Sequence, residues 1–191
     1  FPHSSESSWR TALRLSLLEV PNQKAALKEL MRLVEQSTVD PLVRNAALAI
    51  TSDCASRDDE CEVQAIFKAV KHGDDRVKGL EKGLKYMSDP RWADFFSSPG
   101  RTLRQLADGY NGGDCDDSSA LVTAMLGALG FIVGLRVWGK KKTEYTHVYG
   151  VVAMPKINPS EWVPLDTTVD ESEVGWEPPG GFTLTAYADG Q

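Results

Sequence analysis

Residues 112–138 read GGDCDDSSALVTAMLGALGFIVGLRVW, and the change of period within this stretch decides the fold. Asp114 is a good N-cap, because its short side chain can accept from a free first-turn N–H. From Cys115 to Leu129 the spacing is helical. Cys115, Ser119, Val122, Leu126 and Leu129 step by four and three, and Leu121, Met125 and Ala128 widen the face. Gly130 ends the helix. A helix that is apolar nearly all round after its first turn belongs in a core. Beyond Gly130 the period drops to two, which predicts strands over 131–138, 145–154 and 161–166, with 139–144 as a hairpin link. The expected class is α+β: a helical N-terminal half, the Cys115 helix in the centre, and an antiparallel sheet from residue 131 onward.

Upstream, Ala26, Leu27, Leu30, Met31 and Val34 recur at helical spacing after the potential cap Asn22. Asp40-Pro41 opens a second helix with Pro41 at its first position and Leu42, Ala46, Ala47 and Ile50 as its stripe. Asp58, Asp59 and Glu60 crowd a third helix start, where negative charge meets the positive end of the dipole. Its buried face is Val63, Ile66, Phe67 and Val70, and His72 with Gly73 closes it. Ser98-Pro99-Gly100 reads as a turn, with a short helix at 102–107. Trp92, Phe95 and Phe96 read as satellite packing. Residues 1–8 read as a tail holding His3, 9–20 fit neither period well, and 175–191 promise little regular structure.

Composition excludes several classes. Hydrophobic residues make up 41% and charged residues 25% of the 191, so a wholly disordered or fibrous chain is ruled out. No apolar run reaches the length of a membrane helix. The net charge of −6 leaves only Lys140, Lys141 and Lys142 as a basic cluster, read as a solvated turn, so no nucleic-acid partner is expected. Three cysteines do not make a disulfide framework. Cys54 and Cys61 are close enough to pair but read as free thiols.

Cys115 sits at the helix start among Asp114, Asp116 and Asp117. Free N–H groups and the dipole there favour a thiolate and lower a thiol pKa. The plain alternative is a small buried residue flanked by capping aspartates. A nucleophilic cysteine needs a base, and the base needs an orienting partner. His147 lies in an apolar strand, and 162–166, Trp-Val-Pro-Leu-Asp, ends in Asp166. Adjacent strands would set Asp166 on one ring nitrogen and Cys115 on the other.

Gly113-Asp114-Cys115-Asp116-Asp117, Thr146-His147-Val148-Tyr149 and Trp162-Val163-Pro164-Leu165-Asp166 resemble the three blocks of the bacterial transglutaminase-like superfamily. With Tyr86-Met87-Ser88-Asp89-Pro90 before and Gly175-Trp176 after, the chain is similar to the members found in bacteriophage and prophage genomes. The likeness covers about residues 58–180, which implies a division into 1–57 as a helical N-terminal extension and 58–191 as a transglutaminase-like catalytic domain. It implies a papain-like core, with Cys115 as nucleophile, His147 as base and Asp166 as orienter. It also implies acyl transfer on protein or peptide amides through a thioester, as transamidase, deamidase or thiol protease. The alternative is a non-catalytic structural or interaction module, such as a virion component. The Cys115 N–H is the first oxyanion donor. Tyr86 and Gln105 are candidates for the second, and Asp114 and Asp116 are caps or substrate contacts. No cofactor is expected. A metal site built from the aspartates and His147 is set aside, because carboxylates of one helix turn point different ways. Residues 1–57 offer apolar faces for the core or a protein partner. With no signal peptide visible, a cytoplasmic or virion-associated place is expected.

Overall fold

The computed structural model describes residues 22–87 and 96–188. The tail, His3, Trp92, Phe95 and Ser88-Asp89-Pro90 lie outside the described residues. The chain is α+β. Five helices run α1 (Gln23–Thr38), α2 (Pro41–Ile50), α3 (Asp59–His72), α4 (Pro99–Ala107) and α5 (Cys115–Ala128). Strands β1 (Val133–Gly139), β2 (His147–Met154), β3 (Glu161–Leu165) and β4 (Phe182–Tyr187) follow. They form one antiparallel sheet in the order β3-β2-β1-β4.

The helix starts follow cap chemistry. Asn22, Asp40, Asp58 and Asp114 each accept from a first-turn N–H of α1, α2, α3 and α5. Ser98-Pro99-Gly100, read as a turn, instead opens α4, because proline suits a first helical position where its missing N–H costs nothing. α2 turns Val43 inward where Leu42 was expected; Leu42 is 39% exposed and Val43 fully buried. The stripe therefore steps from Val43 to Ala46 and Ala47, then to Ile50. The tail expected to lack regular structure contributes β4, which pairs with β1 from Gly134↔Tyr187 to Gly139↔Phe182. Residues 182–187, Phe-Thr-Leu-Thr-Ala-Tyr, do alternate, but the glycines and prolines of 175–181 set the reading of the whole tail.

α5 is the centre. Ten of its residues, Asp116 and Ser118 to Leu126, are buried. α1, α2, α3 and α4 all pack on it, and so do β2 and β1 of the sheet. The apolar faces of α1 and α2 join one core with the sheet. Gly150 of β2 faces α5 so closely that a Cβ there would lie 2.5 Å from Thr123 Oγ1. Gly130, at φ +91, reverses the chain after α5 at a position that L side chains rarely adopt.

Cys54 and Cys61 are joined in a disulfide, contrary to the free thiols expected. The turn between α2 and α3 brings them within reach, a closeness that sequence spacing alone does not reveal. Such bonds persist in oxidising surroundings. The start of α3 that this bond holds is also docked on the end of β2. Lys156 N donates to Asp59 Oδ2 at 2.7 Å, and Lys156 Nζ donates to Glu62 Oε2 at 2.6 Å. Closing so short a loop stabilises by about 2–3 kcal/mol in the chain-entropy model. The double variant Cys54→Ser, Cys61→Ser should therefore lose about that much in urea unfolding. Dithiothreitol should reproduce the shift in the parent protein and leave the variant unmoved.

Candidate active site

His147 opens β2, and Asp166 is the first residue beyond β3. Because β2 and β3 run antiparallel with Gly150↔Leu165 as their last pair, both residues emerge at the same end of the sheet. His147 Nε2 and Asp166 Oδ2 lie 2.6 Å apart. Asp166 is fully buried. Its other oxygen, Oδ1, accepts from Thr168 N at 3.0 Å and Thr168 Oγ1 at 2.8 Å. Burial pushes this carboxyl up. The hydrogen bond and charge of His147, with the two Thr168 bonds, outweigh it and leave the group below its ordinary value. Asp166 is therefore a carboxylate at neutral pH. With Nε2 committed to it, Nδ1 is the ring nitrogen left to take up a proton.

Cys115 begins α5 and is half-buried. β3 ends at the partner of Gly150, so the backbone of Val148 on that side is open to α5. The Val148 carbonyl accepts from Ser119 Oγ, one turn along α5 from Cys115, at 3.0 Å. The residue that follows His147 is thereby tied to the helix that carries the thiol. Ser118 Oγ and Thr167 Oγ1, 2.6 Å apart, tie the same helix turn to the residue after Asp166. The cysteine, the histidine and the aspartate share one corner of the molecule. Asp114 caps α5, accepting from Asp116 N at 2.9 Å and Asp117 N at 3.3 Å.

The expected low thiol pKa is not what the surroundings give. Burial pushes the Cys115 thiol well up, and the Asp116 and Asp114 carboxylates add to this. The Val148 N–H and the Cys115 N–H pull the other way with less effect. The thiol is a weak donor to Asp116 Oδ1, at 3.8 Å. Asp114, Cys115 and Asp116 place their donor atoms within 4.8 Å of one another, which explains the repulsion. Helix-start potential is here outweighed by two carboxylates and by desolvation. Asp116→Asn should consequently lower the thiol pKa and speed Cys115 alkylation by iodoacetamide at pH 7, by roughly threefold per unit, since nucleophilicity falls as thiolate gains. Cys115-resolved mass spectrometry measures it; an unchanged or slower rate would contradict this electrostatic account.

Tyr86 pairs with Gly113 in a parallel bridge, and Met87 N donates to Gly113 O at 2.9 Å. The residue is 61% exposed. Its phenol is pushed up by burial first and then by the charges of Cys115, Asp114 and Asp116. Gln105 is half-buried on α4, where its carbonyl accepts from Tyr110 N at 2.9 Å. Among the described residues its side chain makes no hydrogen bond to Cys115, His147 or Asp166. A cavity of about 150 Å³ adjoins the corner, with Tyr86, Gly113, Asp114, Ser118, Thr168 and Asp170 in its wall.

Thr168 and the Val148 N–H escaped the sequence reading. Asp166-Thr167-Thr168 carries a usable signal, since an aspartate often accepts from the N–H two residues on. The Val148 contact carries none, because any residue supplies an N–H. Comparison with family models, with curated proteins and with solved structures gave no match.

Proposed function

We propose that the chain is a cysteine-dependent acyltransferase or hydrolase acting on protein or peptide amides, with a core of the papain and transglutaminase-like kind. The observation that carries this reading is the buried Asp166, bonded to His147 Nε2 at 2.6 Å, while the carbonyl of Val148, next along β2, accepts from Ser119 of the Cys115 helix. Nδ1 of His147 takes the thiol proton as sulfur attacks the amide carbonyl. The raised thiol makes this a concerted proton removal rather than attack by a standing thiolate. Asp166 stabilises the imidazolium that forms. The Cys115 N–H and the Tyr86 hydroxyl are the donors proposed for the oxyanion. Collapse expels the amine, which takes its proton from the imidazolium and leaves a thioester. A second amine then gives transamidation, and water gives deamidation or peptide cleavage. Residues 1–57 are proposed to serve packing or docking rather than chemistry.

The raised Cys115 thiol is the observation favouring a second reading, a non-catalytic module on the same fold. Incubation with a glutamine-containing peptide and a primary amine separates the two. Amine incorporation, deamidation or cleavage, lost in Cys115→Ala, supports the enzyme. A peptide left unchanged over a wide panel, with Cys115 reacting no faster than an exposed free thiol, supports the module.

A further inference from the structure

We infer that Lys71 is the positioning residue of the His147–Asp166 pair. This rests on the catalytic reading above but is testable without it. Lys71 lies in the last turn of α3, far in sequence from the site. Its ammonium leaves the helix and enters the turn that follows Asp166. There Nζ donates to Val169 O at 2.8 Å, Asp170 O at 3.0 Å, Ser172 O at 2.5 Å and Ser172 Oγ at 3.0 Å. The Ser172 hydroxyl in turn donates to the carbonyl of Asp166 and to Val169 O. A hydrogen-bonded chain therefore runs from Lys71 through Ser172 to the backbone of Asp166.

Two consequences follow from this chain. The ammonium has three hydrogens and four acceptors, so it curls residues 169–172 around itself and fixes where Asp166 leaves β3. All four acceptors are carbonyls or a hydroxyl, so what the turn takes from the lysine is its donors, which hold the Asp166 backbone in place through Ser172. A methionine side chain supplies none of those donors. Arginine keeps the charge and several donors, in a different shape.

The test compares the full chain with Lys71→Met and Lys71→Arg. The first readout is the downfield proton resonance of the His147 ring N–H bonded to Asp166, assigned with Asp166→Asn. The second is turnover of a glutamine peptide with a primary amine. Lys71→Met should lose or broaden the resonance and lower kcat by about 10²-fold, the scale expected for a misplaced catalytic group. Lys71 also stands in the wall of the cavity beside the site, so a positioning role predicts a loss in kcat well beyond any change in KM, whereas a change confined to KM would overturn it. Lys71→Arg should recover the resonance and part of kcat. A purely structural lysine would lower the unfolding midpoint and leave the resonance in place; that result would overturn the inference. If Lys71→Met fails to fold, Ser172→Ala cuts the chain at its middle and is read in the same way. A parent protein that shows the resonance but no turnover would sink the enzyme reading while still deciding the role of Lys71.

Discussion

Cys115→Ala is expected to lower amide turnover by at least about 10⁴-fold, the scale seen when a covalent nucleophile is removed. No other thiol can substitute, because Cys54 and Cys61 are bonded to each other and sit at the α2–α3 turn. Cys115→Ser should be nearly as inactive. A hydroxyl flanked by the Asp116 and Asp114 carboxylates is even harder to deprotonate than the thiol already is. Folding should hardly notice the alanine. Cys115 is half-buried, and among the described residues its side-chain hydrogen bond is the weak one to Asp116 at 3.8 Å. The thiol is neutral at pH 7 because its pKa is raised, so alanine loses only that weak contact and a small side-chain volume, and the change in stability should stay within about 1 kcal/mol. Parallel measurement of peptide turnover and urea midpoint checks both halves. Full turnover in the alanine variant would remove Cys115 from the chemistry, and a collapsed midpoint would make the cysteine structural.

The elements legible in the sequence were those that carry their own period or cap. α5 announced itself through Asp114 and its four-and-three steps, and β2 through the run after His147. α1, α2 and α3 showed an aspartate or asparagine cap ahead of an apolar stripe. β4 was missed because the glycines and prolines of 175–181 outweighed the alternation of the six residues that follow, which pair with β1. The disulfide was missed because two cysteines a turn apart look the same whether or not the turn closes. At the site, residue types marked Cys115, His147 and Asp166, and strand order brings His147 to Asp166. The electrostatics were misread for a definite reason. A helix dipole is a diffuse half charge, while Asp116 and Asp114 are full charges close to a desolvated sulfur. Lys71 was beyond sequence reasoning altogether, since only the fold carries α3 to the Asp166 turn.

Asp166→Asn is the sharper probe of the corner, because it changes a proton inventory while keeping shape. The carboxylate accepts three bonds, from His147 Nε2, Thr168 N and Thr168 Oγ1. An asparagine carbonyl can keep both Thr168 donors only by turning its NH2 toward His147. That NH2 demands an acceptor, so Nε2 must give up its hydrogen and the neutral ring must carry it on Nδ1. The nitrogen meant to take the thiol proton is then blocked, and kcat should fall by about 10⁴-fold with the fold intact. Stability supplies a second signature. The folded pKa of Asp166 lies below its unfolded value. Its ionised form therefore stabilises the protein above the unfolded pKa, near 4, and that contribution drains away as pH falls through the folded value. The gap in urea midpoint between parent and Asp166→Asn should be widest at pH 7 and should narrow below about pH 4. A gap that holds constant into acid would mean that Asp166 owes nothing to its charge. A variant that keeps its turnover would mean that His147 needs no orienting carboxylate.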